Sequence, residues 1–168
     1  MAFSIYRASI PVLIRGFESL TVLLKKGEAF AAEKGIAPDE LLQAQLAPDM
    51  YNLIRQIQLA SDSAKGCAAR LAGIENPSFA DSEASFADLY ARIGKTVDFL
   101  KGVAESQLNG ADERTVTLKV RGREFSFSGT DYLLNFALPN YFFHVTTAYD
   151  LLRHKGVPLT KPDYLGPL

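Results

Sequence analysis

The chain has 168 residues, of which 48% are apolar and 22% are charged, so we expect one globular domain spanning residues 1–168. The formal net charge of −1 provides no basic patch for nucleic acid or for an anionic membrane surface. A single cysteine excludes an internal disulfide, and no apolar run approaches the roughly 20 residues of a membrane span. The first residues lack the pattern of a signal peptide, and we therefore predict a soluble, cytoplasmic protein.

The N-terminal segment predicts one long helix and one short helix. Apolar side chains recur every three or four residues from Ile10 to Leu24, which places them on one face of a helix. Ser4 or Ser9 could cap the start of this helix, and Gly35 is well placed to end it. A short helical piece is predicted at residues 38–40, where a proline and two acidic residues suit a first turn.

Two more long helices are predicted in the middle of the chain. The second helix is predicted to open at residues 48–49 and to end at Gly73. A cluster of helix-breaking residues follows at 75–78. Asp81 or Ser82 is then predicted to cap a third helix, which the turn signal at residues 109–110 ends.

The next stretch changes from helical periodicity to strand periodicity. Residues 115–120 are rich in β-branched side chains, and residues 124–128 alternate polar and aromatic ones. The pattern predicts a short β-hairpin whose loop, Arg121-Gly122-Arg123, exposes both arginines. Because an isolated hairpin is only marginally stable, Phe125 and Phe127 are expected to pack on the helices.

The last helix is predicted to run from Thr130 to Lys155. Pro139 lies inside it and is expected to kink it near Asn135, because proline cannot donate a backbone hydrogen bond. The proline-rich tail from residue 158 onward is expected to be extended. Four long amphipathic helices and one hairpin predict an all-α fold, a helix bundle with a short β-hairpin inserted before the last helix.

The most interesting candidate for chemistry is His144. Phosphate-binding loops, dinucleotide fingerprints, paired-cysteine zinc spacings and nucleophile elbows are absent from the sequence. Asn140 and His144 are one helical turn apart, on a face that also carries apolar residues, so this polar pair is predicted to point inward. An inward histidine either binds a metal or moves protons, or is a neutral core residue with a hydrogen-bond partner.

Other polar residues could join His144 across the bundle. The second helix offers Gln56, Gln58 and Asp62, with Gln58 and Asp62 one turn apart. These side chains either face His144 or form a solvated face. Asp62 and Thr147 are candidates for lining a pocket. Cys67 lies on the apolar stripe and is predicted to be a buried structural thiol.

Three segments give the chain a family resemblance: residues 46–50 (LAPDM), residues 137–149 (ALPNYFFHVTTAY) and residues 152–158 (LRHKGVP). With these segments the chain resembles the DinB/YfiT-like superfamily, and within it a bacterial branch of unknown function. The resemblance implies a four-helix bundle with the first and last helices adjacent. It also implies a divalent metal held by three histidines, and the activity of a metal-dependent thiol transferase or hydrolase.

Only one of the three implied histidines is present in this chain. His144 matches the second histidine of the last helix, Asn140 stands where the first would be, and Gln58 stands for the histidine of the second helix. The resemblance therefore implies a degenerate site for zinc or nickel. We expect a non-catalytic module that binds a small molecule or has an accessory role. The alternative is a divergent metal-dependent hydrolase or thiol transferase that uses His144. The tail and the surplus aromatic residues also suggest a homodimer.

Overall fold

The computed structural model describes residues 4–120 and 122–166. The helices are α1 Ile5–Lys34, α2 Pro38–Leu42, α3 Leu53–Ala72, α4 Phe86–Lys101, α5 Gly129–Tyr132, α6 Leu138–His154 and α7 Lys161–Leu165. The strands are β1 Val116–Val120 and β2 Arg123–Phe127. A 3-10 turn, Glu105–Leu108, follows α4, and a π-helical turn, Leu133–Ala137, joins α5 to α6.

Four long helices form the bundle. Helix α1 packs against α4 and α6, and α3 packs against the same two helices, so α1 and α6 are neighbours. This confirms the predicted all-α bundle with a hairpin before the last long helix. The core is made of fully buried apolar side chains from all four helices, among them Leu13, Phe17, Leu20, Leu53, Ile57, Leu71, Leu89, Leu100, Tyr141 and Leu151. In the part of the chain that the structure describes, no helix is long and apolar enough to cross a membrane.

Helices α1 and α6 approach closely at Gly16. Tyr141 is fully buried and its hydroxyl donates to the main-chain oxygen of Leu13 at 2.8 Å. A Cβ atom built on Gly16 would lie only 2.6 Å from that hydroxyl oxygen. The absence of a side chain at Gly16 therefore leaves the space that the phenol ring occupies, and the ring fixes the position of α6 against α1.

The predicted start of the second helix was wrong. Helix α3 begins at Leu53 instead of residues 48–49, because the Asn52 side chain accepts a hydrogen bond from the Arg55 amide at 2.9 Å and so caps the helix there. Residues 48–49 instead lie in a turn, in which the Met50 amide donates to the Ala47 carbonyl. The predicted end at Gly73 is confirmed, with Gly73 in the left-handed conformation at φ 67°.

The predicted bounds of the third helix were also wrong. Ser85 caps α4 by accepting from the Asp88 amide, so Asp81 and Ser82 lie in the loop before the helix. The helix stops at Lys101, before Gly102, well short of residues 109–110. Residues 105–108 form the separate 3-10 turn. The Ser85 hydroxyl also donates to the Asp88 carboxylate at 2.7 Å, which further ties the first turn to its cap.

The hairpin forms nearly as predicted but packs differently. The strands are antiparallel, with Leu118 opposite Phe125 and Val116 opposite Phe127. Strand β1 supplies the buried side chains, and β2 is the outer strand, where only Phe127 packs against the core. The expectation that Phe125 packs on the helices was therefore wrong, since it is 44% exposed. Arg123 is exposed as predicted, and Arg121 lies outside the described residues.

Near Asn135, where a kink is predicted, the helix contains a π-helical turn. The Leu138 amide donates to the carbonyl of Leu133, five residues back, instead of four. Pro139 has no N–H to offer the carbonyl of Asn135, which weakens the regular helical pattern there. The helix resumes as α6 and ends at His154, with the left-handed Gly156 shortly after.

The predicted extended tail is wrong for residues 161–165, which form helix α7. Thr160 and Asp163 form a capping box that starts α7, and Lys26 of α1 forms an ion pair with Asp163 at 2.6 Å. The Arg15 side chain donates to the Leu165 carbonyl at 2.8 Å. These contacts hold α7 against α1. The homodimer expected from the tail and the aromatic residues stays a prediction.

Candidate functional site

His144 lies at the interface of α6 and α3, and it points inward as predicted. Its side chain is buried, with the residue 9% exposed. Its Nδ1 atom is 2.8 Å from Oε1 of Gln56 on α3. The ring also makes an edge contact with its neighbour Phe143. The histidine is thus fixed in orientation by a single amide from the facing helix.

The hydrogen bonds of Gln56 determine which nitrogen of His144 carries the proton. The Gln56 amide nitrogen donates to the Tyr51 carbonyl at 3.2 Å, so the amide oxygen is the atom that faces the histidine. That oxygen can only accept, and Nδ1 must therefore be the donor. The neutral ring then carries its lone pair on Nε2.

The Nε2 atom keeps at least a slight exposure to solvent. None of the described residues makes a hydrogen bond to it, and no fully enclosed polar side-chain atom in the described ranges lacks a partner. An atom without a partner is therefore an atom that solvent reaches. The α3–α6 interface therefore holds one unprotonated imidazole nitrogen that has no hydrogen-bond partner among the described residues.

The environment keeps His144 neutral. Burial lowers the pKa of His144, and the nearby positive charge of Arg55 lowers it further. The folded protein therefore resists protonation of this ring at a pH where the unfolded chain, with a histidine pKa of about 6.5, accepts the proton. The stability that this residue contributes is present above about pH 6.5 and falls as the pH drops toward the lowered folded-state value.

Replacing Gln56 with glutamate should raise the pKa of His144. A carboxylate facing Nδ1 stabilises the charged imidazolium, whereas the amide does not. Ring-nitrogen chemical shifts in ¹⁵N NMR spectra, followed across pH, would report both the tautomer and the pKa. In the wild type we expect protonated Nδ1 and unprotonated Nε2 at pH 7. An Nε2-protonated ring, or an unchanged pKa in Gln56→Glu, would contradict the assignment.

Asn140 also lies at the α3–α6 interface, but with a different partner. Its amide nitrogen donates to the hydroxyl of Ser63 at 2.7 Å, and Ser63 in turn donates to the Leu59 carbonyl. The Asn140 oxygen receives no hydrogen bond from a described residue. Asn140 and His144 therefore both contact α3 and each retains one acceptor atom, a turn apart on α6.

The remaining predicted site residues are held elsewhere. Gln58 donates to Glu83 at 2.8 Å, and Asp62 forms ion pairs with Lys65 and Arg92. Thr147 donates to the Phe143 carbonyl within its own helix. The structure thus brings His144 and Asn140 to one interface, and it does not bring Gln58, Asp62 or Thr147 into hydrogen-bonding contact with them.

Gln56 is the contact of His144 that the sequence did not single out. It was one of three polar candidates on the second helix, but Gln58 was favoured by the family resemblance. Gln56 lies four residues before Ala60 and eight before Ala64, both fully buried. This i, i+4, i+8 spacing with buried alanines is the signal that places Gln56 on the inward face.

The residues do not fit a three-imidazole metal centre. Within residues 4–120 and 122–166, no group of three or more histidine, cysteine or acidic side chains is arranged to hold a metal ion. The site offers one imidazole and one amide oxygen. Neutral amide oxygens are poorer ligands for zinc than imidazole is, so the donor set is weak for that metal.

A charged cluster fixes the loop between α3 and α4. The Arg92 side chain is 1% exposed and pairs with Asp62 at 2.9 Å and with Asp81 and Glu83 at 3.0 Å each. It also donates to Ser61 of α3 at 2.9 Å. Because Asp81 and Glu83 belong to the loop and Asp62 to α3, one guanidinium joins all three segments.

Cys67 is buried, as predicted, and chemically quiet. It is fully enclosed on the inner face of α3, and burial raises the pKa of its thiol to about 12. A thiol with so high a pKa has almost no thiolate at neutral pH, and the thiolate is the reactive form. Cys67 is therefore a packing residue.

His144 lines none of five cavities in the part of the chain that the structure describes. The largest, about 790 Å³, runs along the outer face of α1 beside α7. A polar cavity of about 400 Å³ lies at the start of α3, lined by Gln43, Gln45, Tyr51, Asn52, Arg55 and Gln58 among others.

Comparison with known proteins identifies the class. A crystal structure of a DinB family member protein from Shewanella denitrificans matches with a TM-score of 0.92 and 37% sequence identity, covering 97% of this chain and 92% of that one. This likeness confirms the DinB-like helical bundle. A family model described as a domain of unknown function, DUF1993, matches residues 5–165, and the chain belongs to that family. No curated protein matches the chain.

Proposed function

We propose that this chain is a non-catalytic module that binds a small molecule, with a degenerate form of the family's metal site. The observation that supports this most is that the predicted site residues are each hydrogen-bonded to a separate partner in the protein. His144 is bonded to Gln56, Asn140 to Ser63, and Gln58 to Glu83. Side chains that assist a reaction converge on one point where a substrate atom can lie, and these do not.

The pair of free acceptors suits recognition. Nε2 of His144 and the oxygen of Asn140 each lack a donor from the described residues. A ligand that carries N–H or O–H groups could satisfy both. Burying a hydrogen-bonding group without a partner is costly, so such acceptors discriminate strongly for a ligand that supplies the donor.

Purified, untagged protein should contain much less than one metal ion per chain. Elemental analysis would measure this, and thermal unfolding with added zinc, nickel or manganese should show no stabilisation. His144→Ala should give the same metal content and lose about 1–2 kcal/mol of stability, because Gln56 loses its donor. Near-stoichiometric metal in the wild type that is lost in His144→Ala would refute the proposal.

The second candidate is a divergent metal-dependent hydrolase or thiol transferase that uses His144. The observation that favours it is the Nδ1–H bond to Gln56, since metal-ligating histidines commonly donate their other ring N–H to such an acceptor. Turnover of hydrolase or thiol-transfer substrates in the presence of divalent metals tests it. Activity abolished by His144→Ala would establish it, and no turnover with stoichiometric added metal would reject it.

A further inference from the structure

The polar cavity at the start of α3 carries an exposed aromatic platform. Tyr51 is 59% exposed, although large aromatic side chains are usually covered by their own fold. The guanidinium of Arg55 lies 5.8 Å from the centre of the Tyr51 ring. A flat ring supported by a guanidinium group is a surface on which another flat ring can stack.

The charges that line this cavity already have partners. Arg55 is paired with Asp81 and donates to Gln58, and Glu83 is paired with Arg92 and accepts from Gln58. A ligand in the cavity therefore does not need to bring a compensating charge. The electrostatics favour a neutral ligand over an ionised one.

Hydrogen bonds within the protein orient two side-chain amides at the cavity, and they leave a different atom of each amide unpaired. Asn52 donates to the oxygen of Gln43 at 2.6 Å, which leaves the Gln43 amide nitrogen as a donor. The Gln45 amide nitrogen donates to the Met50 carbonyl, which leaves the Gln45 oxygen as an acceptor. The cavity thus offers both a hydrogen-bond donor and a hydrogen-bond acceptor beside a stacking surface.

We propose that this cavity binds the base of a free nucleoside, stacked on Tyr51 and read by the amides of Gln43 and Gln45. Nucleobases are flat, neutral and edged with donors and acceptors, and proteins recognise unpaired bases by aromatic stacking combined with hydrogen bonds to those edges. A volume of about 400 Å³ admits a ligand of this size. The inference goes beyond the proposed function, because it places a ligand site at the start of α3, apart from the acceptors of His144 and Asn140.

Saturation-transfer NMR with adenosine, guanosine, cytidine and uridine tests the inference on the full chain. At least one nucleoside should receive saturation at its base protons, and ribose alone should receive none. Tyr51→Ala should weaken binding about tenfold, the typical loss of one stacking partner. Tyr51→Phe should retain binding because the ring remains. Phe125→Ala is a matched control, because Phe125 is an exposed aromatic residue that does not line the cavity.

The outcomes separate this inference from the proposed function. Binding that Tyr51→Ala weakens and Phe125→Ala leaves intact would support the cavity as the base site. Absence of nucleoside binding, equal binding of ribose, or equal binding by Tyr51→Ala would overturn it. Binding lost only in His144→Ala would also overturn it, and would place the ligand at the α3–α6 interface. The metal measurement on His144 decides the proposed function separately.

Discussion

Replacing Arg92 with methionine should lower the free energy of unfolding by about 3 kcal/mol, the low end of what breaking a buried ion pair costs. The side chain is almost fully enclosed and pairs with three carboxylates from α3 and the loop before α4. Methionine fills much of the volume but leaves the largely buried carboxylate of Glu83 without its cation. Asp62 and Asp81 are more exposed and can regain water, which limits the loss. Urea unfolding, with the slope held common, would measure the change.

The matched control is Asp62→Asn. Asp62 is partly exposed, and Arg92 keeps two other carboxylates when Asp62 is neutralised, but the buried Lys65 loses its carboxylate partner. We therefore expect a loss of about 1–2 kcal/mol, smaller than that of Arg92→Met. If Arg92→Met cost no more than Asp62→Asn, the cluster would not be the element that joins the loop to the bundle. Amide exchange in residues 74–85 should rise in Arg92→Met alone.

Acid should weaken the same cluster. Burial raises the pKa of Asp81, but hydrogen bonds and charge from Arg55 and Arg92 outweigh it and leave the pKa below its ordinary value. The stabilisation is therefore fully present above about pH 4, where the unfolded-state carboxyl titrates, and is lost as the pH falls through the lowered folded-state pKa. This part of the acid sensitivity should be smaller in Arg92→Met.

Replacing Gly129 with alanine should destabilise the protein by about 3 kcal/mol or more. The usual effect of a glycine-to-alanine change inside a helix is the opposite, a gain in stability. A Cβ atom at Gly129 would lie 1.7 Å from the main-chain oxygen of Ala111. The obstacle is backbone, so no side-chain rotation relieves it. The Thr130 amide donates to the Asp112 carbonyl beside it, which fixes the two segments together. Thermal or urea unfolding would measure the loss.

Gly94→Ala is the matched control for Gly129→Ala. Gly94 lies inside α4, and a Cβ atom there would meet nothing within 4 Å. Alanine has the higher helix propensity, so this variant should gain up to about 1 kcal/mol. Two variants of the same chemistry should therefore change stability in opposite directions. Stabilisation by both would show that Ala111 can move away without cost.

Much of the fold was predictable because it rests on periodicity and on helix ends. The apolar stripes gave the four long helices, and Gly35 and Gly73 ended two of them as expected. The wrong starts, at residues 48–49 and 81–82, have a shared cause. In each case a later residue, Asn52 or Ser85, made the capping hydrogen bond, and the choice among several capping residues depends on geometry that a sequence does not display.

The site was predictable only in part. The inward direction of His144 followed from spacing, and the structure agrees. The identity of its hydrogen-bond partner depends on the rotation of α3 about its own axis. Residues spaced one turn apart in the sequence do not determine that rotation to better than one or two residues. Gln58, two residues from Gln56, faces the loop and Glu83 instead. The close approach of Gly129 to Ala111 joins two segments that are separated in the sequence by the hairpin. No local sequence pattern predicts such a contact.

The π-helical turn at Leu133–Ala137 bears on how this chain is aligned with other sequences. A turn closed by a hydrogen bond that spans five residues accommodates one residue more than a regular α-helical turn. A relative with an uninterrupted helix would present the equivalent of His144 to α3 with one residue fewer. Its alignment to this chain requires a single-residue gap within 133–137. Without that gap, every residue of this chain from Leu138 onward is aligned one position away from its structural equivalent in the relative. A residue on a different face of the helix is then taken as the equivalent of His144.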